Sequence, residues 1–282
     1  MSEQSISRRR FLIVGGAAVG GALAAAATWL TRADGSSAAG STTTTVPADP
    51  TSTSPASTTT STSTTTSAVP ITTTGPPATT STEPGAELII PVICKEAWGA
   101  KSVAGDFTPH TIEHITVHHT AVALASNIEA PARARQHQSY HQDLGWPDLA
   151  YHYLIDANGH VYEGRPVDAV GDTATDYDPT GHLLICCEGD FSSQQITGDQ
   201  YDSLIRMLAW GSSEFGIDPT AIRGHRDVAS TTCPGDNLHA LVADGTVSTD
   251  VSVLAAEGAP ELEVTCGPAA AATIAAIEAG EI

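Results

Sequence analysis

Positive charge is what this sequence has least of. Twelve Lys and Arg stand against 32 Asp and Glu in 282 residues, a formal net charge of −20 with a pI near 4.6. Electrostatic attraction to DNA, RNA or an anionic membrane surface is therefore ruled out as a default. Cysteine is scarce as well: five residues cannot build a disulfide scaffold at this length. Long apolar runs are missing, with one exception from Phe11 to Leu30. The length fits one domain of up to about 200 residues with accessories, or two small domains.

That single run explains the N-terminus. Ser7-Arg8-Arg9-Arg10-Phe11-Leu12 directly precedes a Gly- and Ala-rich, mildly hydrophobic stretch, the pattern of a twin-arginine export signal. Residues 1–32 are therefore read as a signal or anchor. A small-x-small cleavage site can be drawn at Ala22-Leu23-Ala24 or at Thr31-Arg32-Ala33, and an uncut segment of about 20 apolar residues could tether the chain to a membrane. The expected location is extracytoplasmic, secreted or associated with the cell wall.

Large apolar side chains are nearly absent from the next segment. Residues 41–82 hold 27 Ser or Thr and six Pro, a composition unable to bury enough surface to offset its ordering entropy. Residues 33–87 are expected to be a disordered linker. Extended from Thr31 to Glu87, the chain would reach on the order of 170 Å. It is either a spacer across a wall or a plain solubilising linker.

From Leu88 the pattern becomes that of a folded domain, assigned to residues 88–245. Glu113 to Ala121 reads as a buried strand, and Ser126 to Asp143 as a helix with Ser126 and Glu129 as a capping box and Pro131 in its first turns. Tyr151 to Ile155 and Val161 to Glu163 flank Asn158-Gly159 as a hairpin. Leu183 to Glu188 reads as a second buried strand, and Asp199 to Phe215 as an amphipathic helix. The fold class expected is mixed α/β, a central mixed sheet flanked by helices.

Chemistry concentrates at two places. His118 and His119 end an apolar strand, and His225 and Cys233 share one later loop. A catalytic zinc needs three protein ligands and an open position. One strand His with the His/Cys pair would supply that set, and a water held there loses its proton near neutral pH.

Eight segments then occur in order: Ala97-Trp98-Gly99-Ala100, Ile115 to Ala121, Tyr140-His141, Gly145-Trp146, Tyr151 to Ile155, Val161 to Arg165, Ile185 to Phe191, and Gly224 to Gly235. In these the chain resembles the zinc-dependent N-acetylmuramoyl-L-alanine amidases, the superfamily shared by phage lysozyme-type amidases and peptidoglycan recognition proteins. The resemblance implies Zn²⁺ held by His118, His225 and Cys233. It gives Tyr151 and Thr231 catalytic positions beside the metal. The implied reaction is hydrolysis of the amide between N-acetylmuramic acid and the L-alanine of the stem peptide, on peptidoglycan or muropeptide. The alternatives are a non-catalytic peptidoglycan-binding module and a zinc hydrolase acting on another amide.

Three further expectations follow. Trp98 and Trp146 are read as packing residues. Val170-Gly171-Asp172-Thr173 stands where many relatives have Gly-Ala-His-Thr, so Asp172 is expected to change the polarity of the groove. Cys186 and Cys187, adjacent on a strand, should face opposite ways, while Cys94 and Cys266 are placed to bridge and pin the tail. That tail, residues 246–282, is set apart as an extension outside the resemblance, helical from Pro268 to Ala279.

Overall fold

The computed structural model describes residues 88–282, so the export signal and the linker lie outside the described residues. Its elements run β1 (Ile89–Ile93), α1 (Lys95–Trp98), β2 (His114–His119), α2 (Ala130–Asp143), β3 (Tyr153–Ile155), β4 (Val161–Glu163) and β5 (His182–Cys187). They continue with α3 (Gly198–Phe215), β6 (Arg223–Gly224), α4 (Asp236–Ala243), α5 (Thr246–Glu257), β7 (Glu261–Thr265) and α6 (Gly267–Ala279). No helix among the described residues is long and apolar enough to cross a membrane.

The strands form one mixed sheet in the order β6-β2-β5-β3-β4-β1-β7. The β3–β4 hairpin is antiparallel, and every other neighbouring pair is parallel. The hairpin turns where Asp156 accepts hydrogen bonds from the backbone N–H groups of Asn158 (3.0 Å) and His160 (2.9 Å). Gly159 supplies the left-handed φ of +85° at that turn.

Both faces of the sheet are covered, and alternation along each strand sorts side chains between them. Val92, Ile115, Val117, Ile155, Ile185 and Cys187 pack on the side of α3, with Leu204 and Leu208. Ile93, Leu154, Tyr162 and Cys186 face the other way, with Trp98, Ala134, Ile274 and Ile277 of α1, α2 and α6. Cys186 and Cys187 thus point to opposite faces, as a strand requires.

Helix termini follow the sequence signals in part. The α3 N-cap Thr197 accepts from the Gln200 N–H at 3.2 Å, and Gly216 ends the helix in the left-handed region. The helix expected from Ser126 begins instead with a 3₁₀ turn over Asn127–Glu129 and becomes α at Ala130, with Pro131 in its first turn. Ser126 makes no side-chain cap there, so the capping box does not form.

Residues 246–282 are built into the same sheet. The five residues of β7 pair along all of β1, from Ile89 opposite Glu261 to Ile93 opposite Thr265. Helix α5 packs on α3 through Val247 and Val251, and Tyr201 donates to Asp250 at 2.6 Å. Cys94 and Cys266, just past the ends of these two strands, form a disulfide.

Candidate metal centre

The centre begins at the C-terminal end of β2. His118 lies opposite Cys186 of β5 and shares its face, while His119 turns to the other face against Phe191. On the opposite side of β2, Gly224 of β6 pairs with Val117, which delivers His225 next to His118 with ring centroids 4.5 Å apart. A side chain at Gly224 would crowd Pro234 and His239, so glycine permits the close approach of strand and loop. The chain then folds back: Arg226 N–H donates to the Cys233 carbonyl at 2.8 Å, and His119 N–H donates to the Cys233 sulfur at 3.4 Å. The Cys233 Sγ comes to rest 3.7 Å from His118 Nδ1. One ligand atom each from His118, His225 and Cys233 lies within 4.8 Å of the others, an arrangement that could hold a metal ion.

Burial sets the protonation of all three. It pushes His118 well below its ordinary value, with His225 adding to the effect, and takes His225 down to about 4. The Cys233 thiol is driven up to about 12 by the same cause, against the opposing His119 N–H and Arg226. The ligand-free centre therefore presents two neutral imidazoles and one thiol at neutral pH. His118 Nε2 is buried and has no hydrogen-bond partner.

Residues 108–236, which include every residue of this centre, match the family described as N-acetylmuramoyl-L-alanine amidase. Peptidoglycan-recognition protein SC2 of Drosophila melanogaster is 32% identical over 157 residues, covering 54% of this chain and 85% of that protein. The chain belongs to this amidase and peptidoglycan recognition superfamily. The fold agrees. The crystal structure of Drosophila peptidoglycan recognition protein SD superposes with a TM-score of 0.50 at 27% identity, over 54% of this chain and 93% of that one. The ectodomain complex of peptidoglycan recognition proteins LCa and LCx with bound tracheal cytotoxin gives 0.50 at 26%, over 54% and 95%.

In this amidase-family chain an open cleft lies over the three residues, and Tyr151 and Thr231 line it too. The Tyr151 ring is 5.4 Å from that of His118. Burial, then the Cys186 and Cys233 thiols, hold its phenol well above the usual range, so it is a proton donor at any working pH. Thr231 has a second occupation: its hydroxyl accepts from the Cys233 N–H at 3.2 Å and shapes the turn that presents the sulfur.

Two sequence expectations change here. Trp98 is buried as expected and donates to the Glu163 carbonyl at 2.9 Å, but Trp146 lines the cleft, its ring 5.0 Å from His141. Asp172 does reach the cleft wall, but not as a free charge. It pairs with the Arg165 guanidinium, which is only 3% exposed and also donates to the Leu149 and Val170 carbonyls. The polarity that Asp172 brings is thus largely neutralised from behind.

Sequence reasoning missed Thr175, whose hydroxyl is 3.0 Å from His225 Nε2. It also gave no place to Glu188, which is buried and bound through both carboxylate oxygens to His137 Nε2 at 3.0 and 3.1 Å. Neither has a local signature. A Thr in a Thr- and Asp-rich loop, or a Glu ending a strand, has a partner only once the chain is folded.

Proposed function

We propose that the protein is a zinc-dependent peptidoglycan amidase acting outside the cytoplasm, exported through its twin-arginine segment and spaced from that segment by residues 33–87. It hydrolyses the amide between N-acetylmuramic acid and the L-alanine of the stem peptide. The observation that carries this reading is the convergence of His118, His225 and Cys233 beneath an open cleft.

The donor set fits zinc. Tetrahedral zinc with bonds of about 2.3 Å to sulfur and about 2.05 Å to nitrogen spaces such donors about 3.6 Å apart. The His118 Nδ1 to Cys233 Sγ distance is 3.7 Å. Two neutral imidazoles, a thiol and one open side also match a catalytic rather than a structural site. When bound, zinc supplies Lewis acidity to the scissile carbonyl and to water.

The remaining work falls to the chain. His118, His225 and Cys233 hold the ion, and the cleft admits the lactyl-peptide junction. The Tyr151 hydroxyl, kept protonated by burial, donates to the oxygen on which negative charge develops. Thr231 keeps the Cys233 turn in place and offers a hydroxyl at the cleft wall.

Digestion of purified peptidoglycan with the full chain, followed by mass spectrometry of the products, tests the reaction. Intact glycan strands and stem peptides with a free L-alanine amino group are the expected products. A chain that binds no zinc and releases nothing from the wall is a recognition module instead.

Metal uptake should carry a proton signature. Between about pH 5 and pH 6 both imidazoles are already neutral, the thiol still holds its proton and a bound water would keep its own, so binding releases about one proton and affinity rises about tenfold per pH unit. Below about pH 4 His225 also takes up a proton, and the dependence steepens. Calorimetry in two buffers of different ionisation enthalpy measures this number directly. Uptake without proton release would mean that Cys233 is not a ligand.

A further inference from the structure

His225 has two ring nitrogens, and the fold treats them differently. Nε2 is 3.0 Å from the Thr175 hydroxyl, whereas Nδ1 makes no hydrogen bond within the described residues. The Thr175 hydroxyl has one proton and a second neighbour, Thr173 Oγ1, at 2.7 Å. Thr173 Oγ1 also accepts from the Thr175 N–H at 3.1 Å, which closes this turn, and keeps a second lone pair for the Thr175 hydroxyl. Either direction of this chain uses each proton once; the outward one runs from His225 Nε2–H to Thr175 and from Thr175 O–H to Thr173. It leaves a lone pair on Nδ1. The reverse chain would put the proton on Nδ1, where a ligand needs a lone pair.

The segment that carries Thr175 is fixed at several points. Asp172 pairs with buried Arg165 at one end. Asp176 accepts from the Ser230 N–H at 3.1 Å, a bond to the loop that bears Cys233. The Tyr177 ring packs 5.0 Å from the His225 ring and 5.2 Å from that of His182, limiting rotation of the imidazole. The segment 172–177 therefore behaves as a strap across His225.

We infer that Thr175 is a positioning residue that fixes His225 as the Nε2–H tautomer, with Asp172 and Arg165 anchoring the strap that carries it. The choice of tautomer rests on the zinc reading above, through the lone pair a ligand needs on Nδ1; the Thr175–His225 contact itself does not. A ring nitrogen held by a second partner is how protein ligands are usually oriented toward a metal, and loss of that partner weakens binding. Asp172 thereby gains a role: it is the anchor of the strap.

The test uses the full chain with ¹⁵N-labelled histidine rings, the His225 signals being assigned by their loss in His225→Gln. Long-range ¹H–¹⁵N spectra should show the Nε2–H tautomer alone in wild type before zinc is added, and both tautomers in Thr175→Val. Chelator competition should show zinc affinity about 10- to 100-fold weaker in Thr175→Val, and within about threefold of wild type in Thr175→Ser, which keeps the hydroxyl. Thermal melts of both variants confirm that they fold. An Nδ1–H tautomer in the wild type, or a Thr175→Val spectrum identical to wild type, overturns the inference. So does Thr175→Ser failing as badly as Thr175→Val, since the methyl group would then be what matters. A wild type that binds no zinc but shows the Nε2–H tautomer removes the amidase reading and leaves the tautomer assignment standing.

Discussion

Replacing Cys233 with Ser should leave a folded chain that hydrolyses muropeptide more than about a thousandfold more slowly, because a hydroxyl replaces the thiolate that zinc prefers. The substitution is nearly isosteric, and Cys233 is held by its backbone and by Thr231 as well as by its sulfur. The defect should therefore appear in zinc content and turnover, and not in the melting curve. Muropeptide binding should survive in part, since the cleft walls at Trp146 and Thr173 are untouched. Tyr151→Phe separates metal binding from chemistry: it should retain zinc and lose rate. In the wild type, Cys233 should resist thiol reagents while zinc is bound and react after chelation. Wall cleavage by Cys233→Ser at the wild-type rate would end the zinc-amidase mechanism for this chain.

Opening the Cys94–Cys266 disulfide should produce the largest loss of stability available from one bond. The two cysteines are 172 residues apart in sequence. Closing a loop that long contributes as much as about 5 kcal/mol in the chain-entropy model. For a domain of this size that corresponds to roughly 10 to 20 °C in melting temperature. The bond also secures what lies beyond it. Helix α6 follows Cys266 directly, and its Ala270, Ile274 and Ile277 complete the cluster around Trp98 and Ile93. Melting curves of wild type and of Cys94→Ser/Cys266→Ser provide the comparison. Coincident curves would show that strand pairing alone secures the tail.

Local signals were readable where the side chains themselves carry a period or a turn. The apolar run into His118, the Asn158-Gly159 hairpin, the α3 stripe through Leu204 and Leu208, and the Ala-rich α6 all lie close to where the sequence puts them. The pairing of β7 with β1 was not legible, because a five-residue strand rich in Glu has no pattern that identifies a partner so far away. Helix α5 was missed for a different reason. Its Thr and Val residues are poor helix formers, and packing of Val247 and Val251 on α3 decides the matter. The three candidate ligands were legible through their ordered motifs. The strap at Asp172 to Tyr177 was not, since Asp172 is explained by Arg165 and Thr175 by His225, and neither pairing leaves a trace in spacing.

The two margins of the sheet have a consequence for crowding. An open strand edge offers unpaired N–H and C=O groups to any other extended chain, and proteins blunt it with short strands or charge. Here β6 ends one side after two residues. The other side ends in β7, where Glu261 and Glu263 stand exposed. A second copy docking along that margin would set carboxylates against carboxylates. The charge on this last strand therefore opposes edge-to-edge pairing of one copy with another.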